Sequence, residues 1–383
     1  MKVLLLSNTA GQGHRTTAGA LEQALSARGV ECRVLDTYEY VDPMRYKLLD
    51  RGYLMATSRV PAAYGFLYRA AEKLSKSDAM YTPSNVDNLF LAGKLKKYFE
   101  NEFMPDVIVC THVFSAELIN VMKARGWISM PVIGVITDYT IHPFWEGVTH
   151  VDYFTTASEL LTHQAVKRGI AREKLLPFGI PINPKFSKRV EKCEARRLLG
   201  IDADTMTVLL MSGSMGYGNI SRVISRMDKL DADFQIIAVC GNNQRAKIRI
   251  EAMQTRKKVF CYGFVSNVDL MMDAADCIVT KPGGLTASEA LAKQLPIIMV
   301  NPIPGQEERN VEFMLNNGLA VNVTKTFPID EALYQIFTYP EKLQNMIANI
   351  RLVGKPNATD NLSDFILHLL PKDTQCNTNA EHL

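Results

Sequence analysis

The sequence predicts an α/β protein of two Rossmann-like domains facing across a cleft, on three observations. The chain has 383 residues, beyond the roughly 250–300 at which single cores stop growing. Short apolar runs of strand length alternate with stretches of helical spacing in both halves, the pattern of parallel sheets covered on both faces. Each half also sets glycine-rich turns between a strand and the helix after it, where backbone N–H groups can meet an anion.

Residues 3–7, VLLLS, read as a strand buried inside a parallel sheet. The start MKVLLLSNTAGQGH imitates a signal peptide, but its apolar stretch ends at Leu6, short of the about 7–15 residues of an h-region. A helix follows over 16–28, with Gly29 as its stop. Further strands are expected at 31–35, 106–110, 131–136, 152–155 and 174–178, and helices near 115–124 and 158–167. The proline-rich stretch GIPINPKF, 179–186, reads as a linker. A second series has strands at 207–211, 234–239, 259–262, 277–280 and 296–300, with helices between. The expected division is therefore 1–180, 187–355, a late amphipathic helix over 356–370 and a polar tail over 371–383.

Composition narrows the function classes. Hydrophobic residues make up 47% and charged residues 22%, as in ordinary globular proteins. A net charge of +3 gives no whole-molecule field for nucleic acid, so no nucleic-acid partner is expected. The seven cysteines include no C-x-x-C pair, which removes the common zinc and redox spacings and suggests reduced thiols in a cytosolic protein. No run of about 18 apolar residues occurs, so any membrane contact is expected to be peripheral.

The sharpest motif is TKPGGLTASEALAKQLPII, 280–298. A strand ends at Thr280, Pro282-Gly283-Gly284 turns tightly, and a helix begins near Thr286, making a site for a diphosphate. Glu289 lies one turn inside, where a carboxylate suits ribose hydroxyls. The second motif, SNTAGQGHRTTAGALEQAL, puts Gly13 and His14 at a helix mouth. It begins like a dinucleotide fingerprint with Asp36 as ribose acid, but Thr16 stands where the third glycine belongs. A helix N-terminus favours neutral imidazole, so His14 can serve as a general base. The third, VITDYTIHPFWEG, holds Asp138, His142 and Trp145 after a strand; Asp138 could orient His14 or act as base itself. SGSMGYGN offers Ser214 and Gly216 as a second phosphate-compatible loop, GFVSN offers Gly263, Phe264 and Val265 to a base edge, and NPIPGQEERN offers Gln306 and Glu307 to sugar hydroxyls. Asp202-x-Asp204 and Asp231-x-Asp233 have the D-x-D shape of metal-dependent glycosyltransferases but precede their strands. No metal is expected, and backbone N–H groups and helix dipoles are left to stabilise the leaving diphosphate.

Taken in order, GQGH with Arg15, TDYTIHPFW, GSMGYG, GFV, KPGGLTASEA and PGQEERN resemble the monogalactosyldiacylglycerol synthase and processive diacylglycerol β-glucosyltransferase family. These are inverting GT-B enzymes related to the lipid II-forming N-acetylglucosaminyltransferase. The resemblance spans about residues 2–370, with GQGH where the plant enzymes carry GGGH. It implies the GT-B fold, with the C-terminal helix returning to the N-terminal domain. It implies transfer of a hexose, glucose over galactose, from a UDP-sugar to diacylglycerol or a glycosyl-diacylglycerol, with no cofactor beyond that co-substrate. His14 would match the family's proposed base, and Asp138 would match an aspartate that is also a base or its partner. Phe264 and Val265 would match the uracil contacts; Gly284, Leu285 and Thr286 the diphosphate turn; Glu289 the ribose acid; and Gln306 and Glu307 the hexose contacts.

Between 45 and 76, seven Lys or Arg stand against two acids, interleaved with aromatic residues. That composition suits an anionic membrane surface, with Arg59, Tyr64, Phe66 and Arg69, joined by His142 and Trp145, as expected membrane or acceptor residues. The place expected for the enzyme is the inner face of the cell membrane. A UDP-sugar 2-epimerase, a transferase acting on a polyprenyl-linked lipid and a non-catalytic UDP-sugar sensor are the alternatives.

Overall fold

The structure is a computed structural model that describes residues 1–8, 12–44, 83–211, 213, 219–305 and 307–369. Its first half runs β1 (Lys2–Ser7), α1 (Gln12–Ser26), β2 (Glu31–Asp36), α2 (Thr37–Val41), α3 (Pro83–Asn101), β3 (Val107–Cys110), α4 (Val113–Ala124), β4 (Val132–Val135), β5 (Tyr153–Thr155), α5 (Thr162–Lys167) and β6 (Leu175–Leu176). These strands form one parallel sheet in the order β2-β1-β3-β4-β5-β6. Val3, Leu4, Leu5 and Leu6 are fully buried, as a strand covered on both faces requires.

The second half runs α6 (Lys192–Leu198), β7 (Thr207–Met211), α7 (Ile220–Met227), β8 (Gln235–Val239), α8 (Gln244–Glu251), β9 (Val259–Tyr262), α9 (Val268–Ala274), β10 (Cys277–Thr280), α10 (Gly284–Ala292), β11 (Ile297–Met299), α11 (Glu307–Asn316), β12 (Ala320–Asn322), α12 (Ile329–Thr338), α13 (Pro340–Val353) and α14 (Ala358–Leu369). Its parallel sheet has the order β12-β11-β10-β7-β8-β9. Strand β12 was not among the expected ones. It has three residues and is only partly buried, too short to show a period. The helix expected over 158–167 divides into a 3-10 turn, Glu159–Leu161, and α5, because the Ser158 hydroxyl caps the turn by accepting from the Leu160 N–H at 3.3 Å.

Strand order reverses beside β1 in the first sheet and beside β7 in the second. Crevices at such points, outside the carboxyl ends of the strands, are where open α/β sheets bind ligands. The D-x-D pairs lie at the opposite end. The Asp202 carboxylate accepts from the backbone N–H groups of Asp204 and Thr205 at 3.0 and 2.9 Å, shaping the turn into β7.

The last helix returns to the first half. Leu362 and Ile366 of α14 pack with Val3, Leu5, Leu21 and Leu25. Arg28, just after α1, pairs with Asp360 at 2.8 Å and Asp364 at 2.7 Å. The basic aromatic insert, including Arg59, Tyr64, Phe66 and Arg69, lies outside the described residues, as do Ser214, Gly216, Gln306 and the tail. No helix among the described residues is long and apolar enough to cross a membrane.

Candidate functional site

The first sheet's reversal point assembles three loops around His14. The imidazole projects from the first turn of α1, and its Nδ1 lies 2.7 Å from the carbonyl oxygen of Thr111, just after β3. A carbonyl only accepts, so Nδ1 carries the proton and Nε2 is left as the ring's acceptor. Burial pulls the His14 pKa below 6.5, against the opposing influence of Asp138 and of the Thr111 bond, so the ring is neutral at physiological pH. His112 meets it edge-on, with ring centroids 4.7 Å apart. The Nδ1 of His112 accepts from the Phe114 N–H at 3.1 Å and so caps α4; burial pushes its pKa down to about 3.

The loop after β4 supplies the acid. Thr137 Oγ1 lies 3.2 Å from His14 Nδ1. Asp138 has one carboxylate oxygen 3.3 Å from His142 Nε2, while the other accepts from Asn310 Nδ2 at 3.0 Å. Burial would raise the Asp138 pKa, but the bond and charge of His142, then Asn310 and His14, outweigh it and hold the carboxyl below its usual range.

His142 and Trp145, expected as membrane or acceptor residues, are both buried beside the Asp138 loop. His142 is 6% exposed and engaged with Asp138. Trp145 is 5% exposed and packs against Phe154. Gly134 makes its room, since a Cβ there would stand 2.9 Å from the indole. Apolar burial of the indole accounts for the place of Trp145.

The Pro282-Gly283-Gly284 turn lies against this loop. Gly283 caps α10 with no side-chain bond, leaving the first N–H groups of the helix uncapped by side chains. A Cβ on Gly284 would overlap the Thr137 carbonyl, and one on Gly13 would stand 3.9 Å from Leu285 Cβ. The two glycine turns therefore touch across the cleft, with Thr137 reaching His14 through its hydroxyl and Gly284 through its carbonyl. Leu285 and Thr286 are half-buried beside them.

Glu289 is buried one turn further in. Desolvation raises its pKa to about 8, which Lys185 of the linker offsets only in part. Lys185 also pairs with Asp269 at 2.9 Å and donates to the Ser266 carbonyl, joining the linker to the loop after β9. That loop carries Gly263, Phe264 and Val265; Phe264 is 67% exposed and Val265 packs on the core. Glu307 opens α11, and one of its oxygens accepts from the Ile303 N–H at 2.7 Å. Burial raises the pKa of Glu307 too. Asp36, the ribose acid of a dinucleotide reading, instead caps α2 by accepting from the Glu39 N–H at 3.0 Å.

Sequence reasoning passed over Thr111, His112, Thr137, Tyr139, Ser288 and Asn310. Four of them lie inside quoted motifs, TDYT, LTASEA and EERN. Thr111 and His112 follow β3, and only knowing that β3 neighbours β1 would have drawn attention to them. Among the described residues, no three or more His, Cys, Asp or Glu side chains are grouped to hold a metal ion.

Two family models divide the chain as the two sheets do. The one described as monogalactosyldiacylglycerol (MGDG) synthase matches residues 14–182, and the one described as glycosyl transferases group 1 matches residues 196–353. The chain is a GT-B glycosyltransferase. Curated relatives match nearly the whole of this glycosyltransferase. The processive diacylglycerol beta-glucosyltransferase of Bacillus cereus is 28% identical over 374 residues, 96% of this chain and 93% of that protein. The protein of the same name from Bacillus pumilus is 25% identical over 371 residues, 96% and 94% of the two chains. Solved structures share the fold. MurG of Acinetobacter baumannii superposes on the glycosyltransferase with a TM-score of 0.64 at 16% identity, covering 96% of this chain and 99% of that one. UDP-GlcNAc 2-epimerase from Neisseria meningitidis gives 0.56 at 15% identity, covering 96% and 100%.

Proposed function

We propose that this glycosyltransferase moves a hexose, glucose rather than galactose, from a UDP-sugar to a hydroxyl of diacylglycerol or of a glycosyl-diacylglycerol, with inversion. The names of its curated relatives support the donor sugar and the acceptor, and the MGDG synthase match over the first half supports a lipid acceptor there. The observation that carries the chemistry is the neutral His14, its Nδ1 proton committed to Thr111 beside the Gly284 turn.

In this reading Nε2 of His14 takes the proton of the acceptor hydroxyl as its oxygen attacks the anomeric carbon. Asp138 stabilises the imidazolium that forms, or takes the proton itself. The C1–O bond to the diphosphate breaks on the opposite face. UDP leaves with its charge against the N–H groups that open α10, where the helix dipole favours an anion. Glu289 takes the ribose hydroxyls, the backbone of Gly263, Phe264 and Val265 the uracil, and Gln306 and Glu307 the hexose, with Gly13, Ser214, Gly216, Gly283, Leu285 and Thr286 completing the donor site. The insert with Arg59, Tyr64, Phe66 and Arg69 docks on an anionic membrane surface, at the inner face of the cell membrane. The epimerase shares this architecture at a level that shows the fold alone, and its reaction needs no lipid acceptor.

The test is incubation with diacylglycerol in anionic vesicles and UDP-glucose, UDP-galactose or UDP-N-acetylglucosamine, followed by lipid mass spectrometry. Hexosyl-diacylglycerol should form, fastest from UDP-glucose. His14→Ala should slow it by about 10²–10⁴-fold while UDP affinity stays within a few-fold. An epimerised nucleotide sugar with no lipid product, or full turnover in His14→Ala, would reject the reading.

A further inference from the structure

We infer that Asn310 is a positioning residue, which fixes the Asp138 carboxylate against the diphosphate turn by using every polar atom of its carboxamide. The inference rests on the role proposed for Asp138. Asn310 lies in the first half of α11 and is fully buried. Its Oδ1 accepts from the Tyr139 N–H at 2.8 Å. Its Nδ2 donates to Asp138 Oδ1 at 3.0 Å and to the Pro282 carbonyl oxygen at 2.9 Å. An N–H partner on one side and two acceptors on the other leave a single orientation for the amide.

Those three partners come from both halves. Asp138 and Tyr139 follow β4 and Pro282 follows β10, so one side chain of the second half sets the first-half loop and the donor turn at a fixed separation. A second tie runs alongside. The Tyr139 hydroxyl lies 2.9 Å from Ser288 Oγ, which donates to the Gly284 carbonyl at 2.8 Å. With one Asp138 oxygen held by Asn310, the other is left for His142. Asparagine alone offers one acceptor and two donors at this reach. Aspartate keeps the acceptor but loses both donors, and glutamine carries its amide a methylene further than these three partners stand, in a fully buried site.

The ionisable groups around Asp138 are His14, His112, His142 and Glu307. Asn310→Asp is nearly isosteric and sets a second carboxylate among them, which should favour protonation of the nearby imidazoles and of Asp138. Two measurements on the full chain test the inference. In the transfer assay, Asn310→Asp should lower kcat by about 10²-fold, leave the UDP dissociation constant within threefold, and move the acid limb of the rate profile to higher pH. Histidine titrations followed by NMR on ¹⁵N-histidine protein should show the same upward movement without any acceptor. The charge of Asn310→Asp moves the titrations whatever Asn310 does, so the neutral, near-isosteric Asn310→Leu decides the role. It removes all three bonds and should lower kcat by about 10²-fold with the UDP dissociation constant within threefold. If Asn310 only fills space, Asn310→Leu will keep the kcat of the parent, which would overturn the inference. An inactive parent enzyme would instead reject the proposed reaction; the role of Asn310 is then read from the histidine titrations of Asn310→Leu, where loss of the bond to Asp138 should move the His142 titration and an unmoved one would overturn the inference.

Discussion

Glu289 shows how far burial alone can move one side chain. Its carboxyl, ordinarily half-ionised near 4.5, is raised to about 8 because Lys185 only partly offsets its desolvation. The sign follows directly. A folded-state pKa above the unfolded one means the unliganded fold is penalised increasingly as pH rises from 4.5 to 8. Ribose hydroxyls donating to the carboxylate would favour its ionised form. UDP binding at pH 7 is therefore expected to release close to one proton, read as the dependence of calorimetric binding heat on buffer ionisation heat. Glu289→Gln should abolish the release; a parent protein with no buffer dependence would contradict the role. Glu289, His14 and Asp138 were legible in the sequence because each follows an apolar strand and a turn signal within a few residues. Thr111 and Asn310 were not, because their meaning comes from partners 97 and 172 positions away.

Among the elements, α10 is the one whose start is most constrained. Its glycine turn reads in the sequence as an anion site, but Gly284 also lacks room for any Cβ beside the Thr137 carbonyl. Alanine normally favours a helix over glycine by about 1 kcal/mol. Here the added methyl must push one backbone segment off another. Gly284→Ala should therefore lower the melting temperature despite its better helix propensity, and cut transfer at least about 10²-fold through misplacement of the donor turn. A variant as stable and active as the parent would show that the two loops do not touch in solution. Elements with several turns of periodicity, such as α1, could be read directly. The three-residue β12 could not, since it is defined by pairing with β11 rather than by a pattern of its own.

At the scale of the molecule, α14 completes the first half from the far end of the chain. Leu362 is fully buried in the cluster formed with β1 and α1. Leu362→Ala should destabilise the first half by about 2–5 kcal/mol, seen as earlier unfolding of that half in calorimetry. UDP affinity, which the proposed reading places in the second half, should hold. An unshifted first transition would mean the helix adds nothing to that core. Periodicity in the sequence announces this helix but not its destination, which depends on which half offers an uncovered apolar face.

The same return has a mechanical consequence. The chain passes between the halves twice, near Gly179 and near Lys355, and the two passages press together so closely that a Cβ on Gly179 would overlap the Lys355 side chain. Gly179 sits at φ +101°, where only glycine is at ease. Two tethers gathered at one spot leave the rest of the seam between the halves to non-covalent contacts, among them the bonds of Asn310 to Asp138 and Tyr139.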